Sequence, residues 1–296
     1  MIDPDARGIL FVQDVIARDK DEEIARAAET LGLAHVPFSL AGRSIALFDP
    51  QDLIRGPGLG PDMACFVFCS LPVAQRIRRK GGTLSSGLSL NPAALRWSSW
   101  ASRLPAEMLL NPRGVLVPWA HVEDTARSLA GGCPGFPSEN GTPGHFFLRP
   151  DSAMKPFPGQ AIEMEDLEAS LSAIGQIHHV APEEPCLIAP ARDLPRIEHR
   201  IWTQDGEVIG AASYDRLGED HAERPAPEGD VLDAAGLVAR AYEDIEPAPV
   251  LDFVRTETGP RLVEMNALST SGFYPGLDVL AFLERLVEAA ESCGAV

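Results

Sequence analysis

Residues 250–266 read VLDFVRTETGPRLVEMN. Two apolar runs, 251–255 and 261–265, flank TETGP at 256–260, which has the chemistry of a turn. The pattern is an antiparallel hairpin whose runs are interrupted by Asp252, Glu264 and Asn266. Side chains alternate faces along a strand. If Arg255 pairs with Arg261, Asp252 lies opposite Glu264. Asp252, Val254, Leu262, Glu264 and Asn266 then share one face. Leu251, Phe253, Val263 and Met265 share the other and can pack a core. Two carboxylates opposed across a strand pair repel each other, and a divalent cation removes that penalty. Two carboxylates with an amide oxygen form a hard, all-oxygen ligand set suited to Mg²⁺. The same pattern also suits a one-sided sheet with both acids in solvent, and a slip of one residue separates the pair.

The hairpin closes a longer series of strand patterns. After about residue 130 short apolar runs alternate with turns: HFFLRP, PCLIAP, EHRIWT, EVIGAASY, VLDFV and RLVEM. Helical periodicity intervenes at 165–177, 231–243 and 276–291, so this part is α+β with mainly antiparallel pairs. The first 100 or so residues differ. GILFVQDV, the helical KDEEIARAAETLGL, AHVPF and MACFVFCS follow in strand–helix–strand order, as in a small α/β domain. GPGLGPD (56–62) contains Gly-x-Gly without a following helix and reads as a surface turn. GGCPGFPSENGTPG (131–144) and DRLGEDHAERPAPEGD (215–230) read as loops. WSSWASRLP suggests a short amphipathic helix, with Trp97 and Trp100 in the core.

Charge narrows the function classes. The 296-residue chain carries a formal net charge of −18. That argues against a nucleic-acid surface, which needs clustered Lys and Arg, and against attraction to anionic membranes. Five cysteines occur without Cys-x-x-Cys spacing, as expected for free thiols in a reducing compartment. The N-terminus reads as neither signal peptide nor membrane span, and a cytoplasmic location is expected.

The cations fall at telling places. Arg149 ends the run HFFLR, and Lys155, one of three lysines, stands in a loop with Pro156, Pro158 and Gly159. Such cations around a closing loop suit a polyphosphate, although a lone loop Lys is also an ordinary surface feature. Glu198 and Arg200 are two apart and share a strand face, as an acid for sugar hydroxyls beside a base for phosphate or as a surface ion pair. CLIAP enters a Pro-bounded bend that can offer backbone groups to an adenine edge. LSTSGFY (268–274) offers hydroxyls and amides for an anion, or a turn and helix cap. His178 and His179 suit a helix end.

Taken in order, Arg149 and Lys155, CLIAP, Glu198-x-Arg200 and Asp252 … Glu264-x-Asn266 resemble the ATP-grasp superfamily. LDFVRTETGPRLVEMN is similar to that family's metal-binding hairpin. FLRPDSAMKPF and NALSTSGFY resemble a divergent ATP-grasp clade, in which Arg replaces the usual strand Lys. The resemblance covers about residues 115–291. It implies an α+β ATP-grasp fold, two α+β subdomains with antiparallel sheets clamping a nucleotide. Residues 111–296 would form that domain, with subdomains about 111–187 and 188–296, after a small α/β domain at 1–110. The cofactors implied are ATP and Mg²⁺, the metal on Asp252, Glu264 and Asn266. Arg149, Lys155 and Arg200 would meet phosphates, with Lys155 and Arg200 catalytic. Glu198 would bind ribose, and the backbone of Ile188, Ala189 and Pro190 adenine. The activity implied is a carboxylate–amine ligase that makes an amide or peptide bond through an acyl phosphate. Its partners would be small-molecule or peptide carboxylates and amines, with no nucleic acid and no membrane, and a homodimer fits equally. A small-molecule kinase of the same fold and a non-catalytic nucleotide-binding module are the alternatives.

Overall fold

GILFVQ at Gly8–Gln13 is six consecutive buried residues, the signature of a parallel strand covered on both faces. This strand, β1, lies between β2 (Leu33–Phe38) and β3 (Ala64–Phe68), and both partners run parallel to it. The crossover from β1 to β2 is the amphipathic helix Asp21–Thr30, which buries Ile24, Ala27 and Ala28. The structure is a computed structural model that describes residues 6–40, 49, 63–132, 144–218 and 224–292. The turn at 56–62, most of 131–144, part of 215–230, Cys133 and Cys293 lie outside the described residues.

Two antiparallel sheets follow. One has the order β4-β7-β5-β6, formed by Val115–Pro118, Pro185–Pro190, His145–Pro150 and Gln160–Glu163. The other has the order β11-β10-β8-β9, formed by Gly259–Ala267, Pro249–Thr256, Ile197–Gln204 and Glu207–Asp215. Helices Leu167–His178, Gly229–Tyr242 and Val279–Ser292 stand within a few residues of the periodic segments read from sequence. His179 caps the first of these in the left-handed region at φ 50° and ψ 47°. The architecture is α+β.

The chain divides into two compact units. The first comprises residues 1–91, 197–253 and 266–296, and the second 92–196 and 254–265. In the first unit, Phe68, Phe273, Phe282 and Trp202 pack ring against ring, with centroids 5.1–6.1 Å apart. In the second, Phe146, Leu148, Phe157, Ile162 and Cys186 pack beneath the helices Val122–Gly132 and Leu167–His178. Trp100 is buried as expected. Burial pushes the thiols of Cys65, Cys69 and Cys186 up to about 12, so they remain protonated packing groups. Among the described residues no helix is long and apolar enough to cross a membrane.

The hairpin differs from the pattern in one respect. Both strands extend toward the turn and leave only Glu257 and Thr258 between them. Val254 and Leu262, assigned by alternation to a polar face, are 0% and 1% exposed. β10 is an interior strand buried from Pro249 to Val254, and such a strand does not separate into wet and dry faces. Asp252 is therefore a carboxylate inside a core, and its partners decide what that costs.

Candidate functional site

In the first unit β8 lies between β10 and β9, and the register sets Asp252 directly across from Arg200. Arg200 grips the Asp252 carboxylate with two parallel bonds, Nε to Oδ1 at 2.8 Å and Nη2 to Oδ2 at 2.7 Å. The fork geometry of a guanidinium matches a carboxylate in this way. Asn266 donates its amide N–H to Asp252 Oδ2 at 2.8 Å. That bond turns the amide nitrogen, not the oxygen, toward the acid. Burial opposes the charge on Arg200, but Asp252 outweighs it and holds the guanidinium well above its ordinary value. Arg200 is a fixed cation.

Aromatic groups complete this cluster. Arg200 lies over the rings of Tyr274 and Tyr214, 4.8 and 5.3 Å from their centroids. Tyr214 donates its hydroxyl to Glu198 Oε2 at 2.6 Å. Burial first, and then the charge of Asp252, push the Tyr214 phenol above its ordinary value, so it stays a donor. Arg200 thus spends its fork on Asp252 while Glu198 accepts from Tyr214, and the two form part of a larger buried cluster rather than a simple surface ion pair.

In the second unit Glu264 collects the two other predicted cations. Arg149 Nη2 donates to Glu264 Oε1 at 2.8 Å, and Lys155 Nζ to Oε2 at 2.8 Å. Arg149 is 8% exposed and also donates to the Val263 carbonyl. Lys155 adopts φ 42°, a left-handed backbone that a residue with a side chain enters only under local constraint. Glu264 and Asn266 stand two residues apart on β11 and so leave the same face of that strand.

Ile188, Ala189 and Pro190 lie at the end of β7, where β5 pairs with all three. β4 pairs with β7 only as far as Ile188. Beyond it, among the described residues, the β4 side of Ala189 and Pro190 is not in a ladder, and Pro190 can contribute only its carbonyl there. The hydroxyls of LSTSGFY are spent internally. Ser269 Oγ accepts from Ser89 N–H, and Ser271 Oγ donates to the Ala267 carbonyl. Of the two readings of that segment, the turn is the one that forms.

Arg18 was not legible in the sequence. It follows β1 after a single helical turn, at φ 55° and ψ −128°, a strained backbone for a non-glycine residue. Its guanidinium stacks on Tyr274 at 4.0 Å and donates to the Tyr274 hydroxyl at 3.0 Å. Arg200 donates to that same hydroxyl at 3.1 Å. A Cβ on Gly272 would stand 3.0 Å from Arg18 Nε, so glycine there makes room for the stack. Among the described residues Arg18 has no carboxylate partner. The only sequence signal was an Arg just beyond the C-terminal end of a parallel strand, the usual position of ligand-binding groups in α/β sheets.

The solved structures similar to this chain are ATP-grasp ligases. D-cycloserine synthetase DcsG matches at 16% identity and TM-score 0.59, covering 95% of this chain and 99% of the other. D-alanine–D-alanine ligase from Bacillus anthracis matches at 12% and 0.59, covering 98% of each. The ATP-grasp ligase PsnB, complexed with a phosphomimetic variant of minimal precursor, Mg and ADP, matches at 14% and 0.52, covering 96% and 98%. At these identities the likeness establishes the ATP-grasp fold. No curated protein sequence matches the chain. The model of an ATP-grasp domain, the third family of the clade with Arg in place of the strand Lys, matches residues 95–289, and the chain belongs to that family.

Proposed function

We propose that the chain is an ATP-dependent carboxylate–amine ligase that forms an amide or peptide bond through an acyl phosphate. The observation that carries the reading is Glu264 holding Arg149 and Lys155 on the strand that also presents Asn266. The ligase activities named for the similar structures support it.

The donor set fits a hard divalent cation. Asp252 and Glu264 are each held by cations, and Asn266 spends its nitrogen on Asp252. Bound Mg²⁺–ATP would supply charge neutralisation of the transferring phosphoryl group. Asp252, Glu264 and Asn266 are the metal ligands in this reading. Arg149, Lys155 and Arg200 exchange carboxylate partners for phosphate oxygens, so each buried charge keeps a counter-charge. Lys155, the most exposed of the three, carries the loop over the phosphates. Glu198 takes the ribose hydroxyls, and the unpaired side of Ala189 and Pro190, with Ile188, frames the adenine. Residues 1–110 precede an ATP-grasp domain at 111–296, and the need for ATP places the enzyme in the cytoplasm.

The chemistry needs no side-chain nucleophile. A substrate carboxylate oxygen attacks the γ-phosphorus and ADP leaves. An amine nitrogen then attacks the acyl carbon, phosphate leaves, and the nitrogen loses a proton. Arg200 stabilises the charge on the transferred group, fixed in place by Asp252 and the two tyrosine rings. Incubation with ATP, Mg²⁺ and pools of amino acids and peptides tests the reading. Phosphate release that requires both a carboxylate and an amine is the expected result. A phosphorylated product from one substrate alone would contradict it.

Arg18 presents a guanidinium stacked on Tyr274, and in this reading it anchors a substrate carboxylate. A charge-assisted hydrogen bond contributes roughly 1.5–3 kcal/mol. Arg18→Ala is therefore expected to raise KM for the carboxylate substrate about 10- to 100-fold and leave KM for ATP within about twofold. Steady-state kinetics with each substrate varied in turn checks this.

A further inference from the structure

The second unit contains a cavity of about 400 Å³ lined by Leu109, Leu110, Arg113, Arg192 and Arg261, with Glu107 and Thr258 on its wall. The size is that of a small-ligand site. Three guanidinium groups around one cavity are unexpected in a chain of net charge −18. Among the described residues neither Arg192 nor Arg261 has a carboxylate partner. Arg261 donates only to its own turn, to the carbonyls of Pro260 and Thr258 and to Thr258 Oγ1. Arg192 Nε is buried without a hydrogen-bond partner. Burial, and next the positive charge of Arg261, hold the Arg192 guanidinium below its ordinary value. Like charges and an unmet buried donor both cost stability, and an anion in the cavity relieves both.

This cavity is separate from the Arg149–Lys155–Glu264 cluster. Arg261 and Glu264 are three residues apart on β11, so their side chains leave opposite faces of the strand. We propose that Arg192 and Arg261, with Arg113, form a second anion site that takes a small organic oxyanion, a carboxylate or a phosphate monoester, with its apolar part against Leu109 and Leu110. The proposal stands whether or not the ligase reading does.

The test is thermal unfolding of the full-length protein, titrated at constant ionic strength with inorganic phosphate in one arm and malonate in the other. A saturable rise in Tm is expected in at least one arm, and the arm that responds identifies the chemistry preferred. Arg192→Gln/Arg261→Gln should weaken that response at least tenfold, while Arg149→Gln keeps it. Without anion the double variant should unfold at or above the wild-type temperature, because the like-charge pair is gone. Arg261→Lys, which keeps the charge but loses the fork, should weaken the response by less and covers the case of a poorly folding double variant. The proposal is overturned by a response unchanged in the double variant, by one lost in Arg149→Gln, or by no saturation in either arm.

Discussion

Asp252→Ala is expected to destabilise the protein by about 3–5 kcal/mol, the cost of breaking a buried ion pair by removing one partner. The side chain is 3% exposed and that of its partner Arg200 is 11% exposed, so little water is at hand to replace the lost carboxylate. The variant leaves two guanidinium donors and the Asn266 amide without their acceptor. Asp252→Asn should cost less, because one carbonyl oxygen still accepts. A second change, Arg200→Leu in the Asp252→Ala background, should recover part of the loss by removing the stranded charge. Urea unfolding of the three variants measures this. A destabilisation below about 1 kcal/mol for Asp252→Ala would mean that the pair is not the closed, dry contact described.

Glu264→Gln is expected to separate activity from stability in the opposite way. Its side chain is 18% exposed, and the amide oxygen of Gln can still accept from Arg149 or Lys155. The loss of stability should stay within about 1–2 kcal/mol. ATP turnover should fall roughly a hundredfold or more, because the change removes a charged metal ligand and alters the charge state around two phosphate-binding cations. Turnover near the wild-type level in a folded variant would remove Glu264 from the metal set. The two substitutions therefore give different signatures: Asp252 holds the core together around Arg200, whereas Glu264 sits where solvent and substrate can reach it.

Much of this was legible in the residues, for physical reasons that differ from place to place. GILFVQ and the periodic segments near 165–177, 231–243 and 276–291 declare themselves because strand and helix repeats are local. β4 and β6 did not. Each is four residues long, and VLVP and QAIE are too short for a period to show. The helix Leu71–Lys80 was not legible either, because its strongly basic last turn, Arg78-Arg79-Lys80, masks the buried set Val73, Ala74 and Ile77. Within the site, Asp252, Glu264 and Asn266 stood out as polar residues in apolar runs, and their spacing along the hairpin carried the family resemblance. The burial of Val254 and Leu262 could not be read, because it depends on β10 being an interior strand. Tyr214, Tyr274 and Arg18 come together only through the fold. Arg18 is 256 residues from the tyrosine it stacks on, and no local pattern encodes such a contact.

The central claim is that the chain transfers the γ-phosphoryl group to a carboxylate oxygen and then exchanges phosphate for an amine. The most direct measurement uses the carboxylate substrate found in the pooled assay, labelled with ¹⁸O in both carboxyl oxygens, with ATP, Mg²⁺ and the amine. One labelled oxygen should appear in the released phosphate for each amide formed, because the attacking oxygen leaves with phosphorus. Released phosphate without label, with the amide still formed, would contradict an acyl-phosphate route and with it the reading of the site.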